Sequence, residues 1–142
     1  MEPTTRPKDR SKIYLARKCY FSCGVKRQNF EAGFNYIFEA FFHGPIDPVS
    51  GLVVNLTDIK AVLKEVELLV NQKHLNHDVP NLKKYDLASI HKFLHDYFKS
   101  LFSNADFPDE IILVATKLTE GEGVRSEIYE PLPLGNQAFR LE

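Results

Sequence analysis

Residues 29–42 read NFEAGFNYIFEAFF and alternate between two kinds of side chain. One side of an extended chain would carry Phe30, Ala32, Phe34, Tyr36, Phe38, Ala40 and Phe42, and the other would carry Glu31, Gly33, Asn35 and Glu39. Successive side chains of a strand point to opposite faces, so the pattern predicts a strand with one apolar face. Packing of that face against helices is the simplest explanation for its aromatic residues, although the same face could also stack on a flat ligand.

The segments around this strand predict an α+β domain. Aromatic and β-branched residues favour further strands, and apolar residues at three- and four-residue steps favour amphipathic helices. These predicted strands lie at 13–23, 111–118 and 124–129, the helices lie at 59–70 and 87–101, and a turn lies at 120–123. The order is ββααββ, which predicts a four-stranded antiparallel sheet with two helices packed on one face.

Composition limits the classes of protein to which the chain can belong. A length of 142 residues with 44% hydrophobic and 26% charged residues fits one globular domain, which we place at 13–130 between a flexible arm (1–12) and an irregular tail (131–142). A formal charge of -1 argues against nucleic-acid binding, and no apolar run approaches the ~20 residues of a membrane span. With Cys19 and Cys23 as the only cysteines, we expect a cytoplasmic protein.

Several short motifs occur in an order that resembles one known family. They are Gly33-Phe34-Asn35-Tyr36, the loop Asp47-Pro48-Val49-Ser50-Gly51-Leu52-Val53, Ile59-Lys60 and Leu75-Asn76. Together they resemble the 6-pyruvoyl-tetrahydropterin synthase and 6-carboxy-tetrahydropterin synthase group over about residues 21–129. The resemblance implies the tunnelling fold, or T-fold, and a homo-oligomer, a trimer or hexamer, with sites between subunits.

The resemblance also implies where a catalytic zinc ion would bind. The family's three histidine ligands correspond to Val25, Ala32 and Phe34 in this chain. None of these side chains has a lone pair for a metal, so we expect no metal at these positions and no cofactor.

The family's proton-transfer and pterin-binding positions differ in a similar way. Its Asp-His pair corresponds to Asn71 and Gln72, which do not titrate near neutral pH, and Arg27 is one of the residues at the position of its cysteine. Its pterin-anchoring glutamate corresponds to Thr116, and the acidic residue at its second helix corresponds to a position near Tyr85. We therefore expect that the family's reaction has been lost.

The remaining candidate residues each have a simpler interpretation. Cys23 and His74 are weak catalytic candidates, but Cys23 is more simply a buried apolar residue, and the loop that carries His74, His77 and Asp78 is more simply solvated than a new acid-base or metal cluster. The pair His91 and His95 has a spacing that can bind metal, but we expect it on a solvent-exposed helix face.

Two functions remain open. The first is a zinc-independent protein with a neutral intersubunit pocket that binds a planar aromatic or heterocyclic molecule, or that performs a mild cyclisation or condensation on it. The second is a non-catalytic scaffold or regulatory subunit whose pocket is closed by Phe34. The pocket candidates are Phe34, Tyr36, Asn71, Gln72 and Thr116.

Overall fold

The computed structural model describes residues 12–45, 56–107 and 111–131. It contains strands β1 (Lys12–Arg27), β2 (Phe30–Pro45), β3 (Lys73–His74), β4 (Ile112–Glu120) and β5 (Val124–Tyr129), and helices α1 (Leu56–Val70), α2 (Leu75–Asp78) and α3 (Leu87–Asn104). Most of the predicted arm and tail, and the predicted loop motif at 47–53, lie outside the described residues.

The sheet has the order β3-β1-β2-β4-β5, and its four long strands are antiparallel. The α+β class and the two helices on one face are confirmed, because α1 packs on β1 and α3 packs on β4 and β5. The sequence missed the fifth strand, since β3 has only two residues and pairs in parallel with Cys23 and Gly24 of β1. A two-residue strand has no periodicity by which a sequence could reveal it.

The alternation in residues 29–42 predicts the buried face of β2 correctly. Tyr36, Phe38, Ala40 and Phe42 are at most 1% exposed, while Phe30 at the hairpin end is 52% exposed. The Phe38 and Phe42 rings pack on Phe98 of α3, with centroid distances of 5.7 Å and 6.0 Å. The aromatic residues in the middle of this strand therefore form the core between the sheet and the second long helix.

The prediction that His91 and His95 face solvent is wrong. They are 0% and 2% exposed, because the buried stripe of α3 runs through Ile90, His91, Leu94, His95 and Phe98. The apolar pattern of the sequence located the buried stripe of α3 but underestimated its width, because His91 and His95 were assigned to the polar face. Polar partners on the sheet, which the sequence of the helix does not show, allow these rings to be buried.

Thr116 on β4 is the partner that both histidines share. Its hydroxyl lies 2.8 Å from His91 Nε2 and 2.7 Å from His95 Nδ1, and it is completely buried. His91 Nδ1 lies 2.8 Å from Ser126 Oγ, and His95 Nε2 lies 2.6 Å from Glu130 Oε2. Burial lowers the pKa of His91 to about 3, with a further contribution from His95, so His91 is neutral.

The shared hydroxyl predicts a measurable stability loss for Thr116→Val. Valine keeps the shape of threonine but leaves one nitrogen of each histidine without its hydrogen bond, which should lower the free energy of unfolding by about 2 kcal/mol. Urea denaturation would measure this loss. Thr119→Val, on the same strand but partly exposed, is the matched control and should change stability much less. Equal effects of the two substitutions would contradict the assigned role of Thr116.

Candidate functional site

The three positions that the family resemblance assigns to zinc ligands lie together on the helix-facing side of the sheet. Val25 of β1 pairs with Ala32 of β2. Two residues further from the turn on each strand, Cys23 pairs with Phe34, so all four side chains point to the same face. Val25 is fully buried, whereas Ala32 and Phe34 are partly buried. The backbone therefore brings these side chains together, but they contribute only hydrocarbon to the site.

An open groove of about 390 Å³ borders Phe34. Of the pocket candidates, it brings together Phe34 and Gln72, and it is also lined by Asn35, Lys73 and Cys23. Within it, Ser22 Oγ donates a hydrogen bond to Asn35 Oδ1 at 2.6 Å. The groove is mostly neutral, with Lys73 as the charged side chain in its lining.

Three other pocket candidates lie elsewhere. Asn71 Oδ1 accepts a hydrogen bond from the Ser22 backbone N–H at 3.0 Å, so this amide joins the end of α1 to β1. Tyr36 is buried and its hydroxyl donates to Glu120 Oε2 at 2.7 Å. Thr116 lies beneath α3, bonded to His91 and His95 as described above. None of the three lines the groove beside Phe34.

Cys23 is a poor nucleophile in this environment. The residue is 5% exposed, and burial raises the pKa of its thiol to about 12, with a further contribution from the negative charge of Glu120. Because the thiolate is the reactive form, the thiol is nearly unreactive at neutral pH. The structure favours the interpretation of Cys23 as a buried apolar residue.

An ion pair between Arg27 and Glu120 lies beside Phe34. Arg27 Nη1 donates to Glu120 Oε1 at 3.0 Å, and Nη2 donates to Oε2 of the same carboxylate. Arg27 Nε donates to the Tyr85 carbonyl oxygen at 2.6 Å, and the guanidinium carbon lies 5.5 Å from the centre of the Phe34 ring. Two parallel N–H···O bonds are a strong and geometrically specific form of carboxylate recognition.

The ion pair determines the protonation state of Glu120. Burial alone would raise the pKa of this carboxyl, but the hydrogen bonds from Arg27 and Tyr36 and the charge of Arg27 outweigh that effect and hold the pKa below its ordinary value. The Tyr36 hydroxyl has a strongly raised pKa because it is buried and bonded to this carboxylate. The cluster therefore holds a buried anion and a phenol that remains protonated.

Sequence reasoning missed Arg27 and Glu120 as functional residues. Glu120 was predicted to lie in a turn, but it ends β4 and pairs with Tyr36, and the turn follows at 121–123. Gly121 and Gly123 supply the positive φ angles of that turn, 63° and 116°. The Glu-Gly-Glu-Gly sequence does not reveal which of its two glutamates points inward.

A second cavity, of about 620 Å³, lies between the tip of the β1–β2 hairpin and the start of α3. Its lining includes the aromatic residues Phe30 and Tyr85 and the basic residues Lys26 and Lys84. The Asp86 side chain at its border caps α3 by accepting from the Ser89 N–H at 3.2 Å. Arg27 is also part of the lining of this cavity and lies against the Phe34 ring.

His74, the other weak catalytic candidate, lies at the edge of the sheet with Glu31 and His77. His74 Nε2 is 2.5 Å from Glu31 Oε2, and the two histidine rings have their centres 4.3 Å apart. The third residue of the predicted cluster, Asp78, instead accepts a hydrogen bond from the His74 backbone N–H at 2.7 Å. The loop thus forms an ordered strand and helical turn.

Comparison with known proteins points to one family. The family described as 6-pyruvoyl tetrahydropterin synthase matches residues 15–129. A 6-pyruvoyl tetrahydrobiopterin synthase from Poecilia reticulata is 47% identical over 49 residues, which is 34% of this chain and 33% of the relative. The human protein of the same name is 41% identical over 49 residues, 34% of each chain. The aligned segment thus spans about a third of these curated relatives.

Solved structures of similarly named proteins share the fold. The 6-pyruvoyl tetrahydropterin synthase of Caenorhabditis elegans has a TM-score of 0.72 and 18% identity, covering 84% of this chain and 96% of that one. The enzyme of the same name from Plasmodium falciparum has a TM-score of 0.61 and 10% identity, covering 84% and 98%. At such low identity the likeness extends to the T-fold and not to the chemistry.

The ion pair predicts a pH-dependent loss of stability for Arg27→Met. Methionine retains much of the side-chain volume but leaves a buried carboxylate unpaired, which should cost about 3 kcal/mol at pH 7. In the parent protein the lowered pKa of Glu120 gives stability that is present above its ordinary value of 4.5 and is lost as the pH falls through the folded-state pKa. In the variant, burial would raise the pKa of Glu120, so protonation would recover stability as the pH falls.

The difference in free energy of unfolding between the two proteins should therefore narrow from pH 7 towards pH 4, as measured by urea denaturation. Lys64→Met is a matched control, because Lys64 forms an exposed i, i+3 pair with Glu67 and its removal should cost less than about 1 kcal/mol. A difference independent of pH would contradict the assigned charge state of Glu120.

Proposed function

The chain belongs to the 6-pyruvoyl tetrahydropterin synthase family, and we propose that it is a member that has lost zinc-dependent pterin chemistry and acts as a non-catalytic scaffold or regulatory subunit. The observation that carries this proposal is the contact between Arg27 and Glu120. It fills the space beside Phe34 with the protein's own side chains.

Loss of the family's zinc ion is supported by the three clustered hydrocarbon side chains. Val25, Ala32 and Phe34 share one face of the hairpin, as the family's ligands would. Zinc in catalytic sites needs three protein ligands with nitrogen, oxygen or sulfur donors, and this cluster supplies none. Without the ion, no Lewis acid at this position would polarise a substrate carbonyl.

Glu120 is the better candidate for the family's pterin-anchoring glutamate. Thr116, which the resemblance assigns to that role, is buried beneath α3, whereas Glu120 is the only glutamate of β4 and faces Tyr36. An anchoring carboxylate accepts two parallel N–H groups from the ring, and Arg27 supplies two parallel N–H groups to Glu120. Arg27 thus acts as an internal occupant of the position where a ring would bind.

The acid-base positions support the same proposal. Asn71 is committed to the Ser22 backbone, and the exposed Gln72 has a φ of 63°, which places it in the left-handed region at the turn into β3. Neither amide titrates, and the Cys23 thiol remains protonated at neutral pH. General acid-base or thiolate catalysis at these positions therefore has no group to perform it.

A second function, binding of a planar neutral molecule, is favoured by the groove beside Phe34. Its volume of about 390 Å³ is within the range of small-molecule sites, and the aromatic residue Phe34 is part of its lining. Ser22, Asn35 and Gln72 could orient a ligand by hydrogen bonds. This function uses the groove and leaves Arg27 and Glu120 in place.

Pterin binding distinguishes these possibilities. With pterin itself as the fluorescent probe, the parent protein should show no saturable binding. Arg27→Met should gain pterin binding because Glu120 is freed, and the double variant Arg27→Met/Glu120→Gln should lose it again. Lys64→Met is the control for a lost lysine or arginine charge and should behave as the parent.

The proposal would be overturned if the parent protein binds pterin and Glu120→Gln abolishes that binding, since Glu120 would then anchor the ligand. If parent binding survives Glu120→Gln but is lost on Phe34→Ala, the groove function is favoured instead. If neither the parent nor Arg27→Met binds pterin, the idea that Arg27 is an internal occupant fails.

A homo-oligomer, a trimer or hexamer, is part of the proposal. Among the described residues, no strand pairs with β5 on its outer side, and on the side of β1 away from β2 only Cys23 and Gly24 are paired, with β3. Open strand edges are stable when they pair with another chain. Sedimentation equilibrium should therefore show a mass of three or six chains of 16.3 kDa, and a monomer at micromolar concentration would contradict this prediction.

The cellular location is proposed from the cysteines. Cys19 and Cys23 are both free and buried, which fits a reducing compartment such as the cytoplasm. No helix in the described ranges has the length and apolar content needed to cross a bilayer.

A further inference from the structure

We propose that Glu31, His74 and His77 form a binding site for one divalent transition-metal ion, with Zn²⁺ as the fitting case. Each of the three residues offers one ligand atom, and these atoms all lie within 4.8 Å of one another. Two imidazole nitrogens and one carboxylate oxygen are a ligand set that Zn²⁺ and its borderline neighbours accept, whereas Mg²⁺ and Ca²⁺ prefer oxygen ligands alone.

This metal site is separate from the positions of the family's zinc ligands. Glu31 and Ala32 are neighbours on β2, so their side chains point to opposite faces of the sheet. Ala32 faces the helices with Val25 and Phe34, whereas Glu31 is on the exposed face. The inference therefore does not depend on the proposed loss of pterin chemistry.

Glycine at position 24 lets the His74 ring lie across β1 towards β2. His74 of β3 pairs in parallel with Gly24 of β1, and on its other side Gly24 pairs with Gly33 of β2. A Cβ atom at Gly24 would lie 3.2 Å from His74 Cδ2, so a larger residue would push the ring away. With the ring in this position, Nε2 lies 2.5 Å from Glu31 Oε2.

The turn that carries His77 is fixed in place before any metal binds. The Asn76 side chain forms two hydrogen bonds with the backbone of Lys26, accepting from N at 2.8 Å and donating to O at 3.0 Å. Asp78 accepts from the His74 N–H at 2.7 Å, which closes the turn. These contacts hold the His74 and His77 rings at a centroid distance of 4.3 Å.

Small side-chain movements would complete the coordination. Glu31 is 55% exposed and His77 is exposed, so both can adjust from the present spacing to the ~2.0–2.2 Å bonds of zinc. The His74 ring is held more firmly, and its Nδ1 is buried and has no hydrogen-bond partner among the described residues. Because His74 Nε2 already lies 2.5 Å from Glu31 Oε2, Nε2 is the nitrogen placed to share an ion with that carboxylate.

Three protein ligands leave at least one position of a four-coordinate ion for water. The ion would join β2 to the edge strand β3 and the turn α2, which meet β2 here through the contact between Glu31 and His74. We therefore expect the ion to stabilise this edge of the sheet.

The test uses the full chain, stripped with EDTA and then desalted, and titrated with Zn²⁺ by calorimetry and with Co²⁺ by visible absorption. We expect one ion per chain and a rise in melting temperature with added Zn²⁺. Glu31→Gln and His77→Ala, at two exposed positions where folding should be unaffected, should each weaken binding by at least about tenfold.

Matched controls are Glu122→Gln, an exposed carboxylate in the β4–β5 turn, and His43→Ala, a partly exposed histidine on β2. Neither should change the affinity for Zn²⁺. Absence of saturable Zn²⁺ binding by the parent protein, or binding that survives both Glu31→Gln and His77→Ala, would overturn the proposal. Neither result would bear on the prediction for pterin binding, which is tested with variants of Arg27 and Glu120.

Discussion

The antiparallel pairing of β1 with β2 is the constraint on which the other features depend. Sixteen consecutive pairs, from Lys12 with Pro45 to Arg27 with Phe30, fix the register of the hairpin. A shift of one residue would turn Phe38 and its neighbours from the core to solvent, so the burial of that aromatic face holds the register in place. The same register places Val25 beside Ala32, Gly24 beside Gly33, and Arg27 at the hairpin end where it can reach Glu120.

In the part of the chain that the structure describes, two separate networks of buried polar side chains stand out. Beneath α3, neutral His91 and its neighbour His95 are joined through Thr116, which attaches the helix to β4. At the hairpin end, Arg27 and Glu120 form a charged pair beside Tyr36 and Phe34. The first network satisfies buried donors and acceptors and so stabilises the fold, whereas the second pairs two buried charges beside an aromatic ring.

Successive side chains of a strand point to opposite faces, so the two faces of the hairpin carry different chemical groups. The helix-facing side carries the hydrocarbon side chains Val25, Ala32 and Phe34, and Arg27 and Glu120 pair with each other there. The outer side gathers a carboxylate and two imidazoles at the sheet edge, where Gly24 makes room for His74. A metal ion on this outer side would stabilise the edge of the sheet and would not contact the helix-facing side.

The sequence by itself determined the α+β class, the order of the long elements and the buried face of β2, because period-two and period-3.6 patterns report directly on which side of an element is covered. The assignment of Val25, Ala32 and Phe34 to the family's zinc positions stays a prediction from the resemblance. Only the tertiary structure decided which polar side chains meet. The sequence predicted a turn at Glu120, a pocket residue at Thr116, and surface residues at His91 and His95. The hydrogen-bond partners that fix these side chains lie from 21 to 93 positions away along the chain. Local patterns contain no information on such distant partners, and a buried polar residue is stable only where one is present.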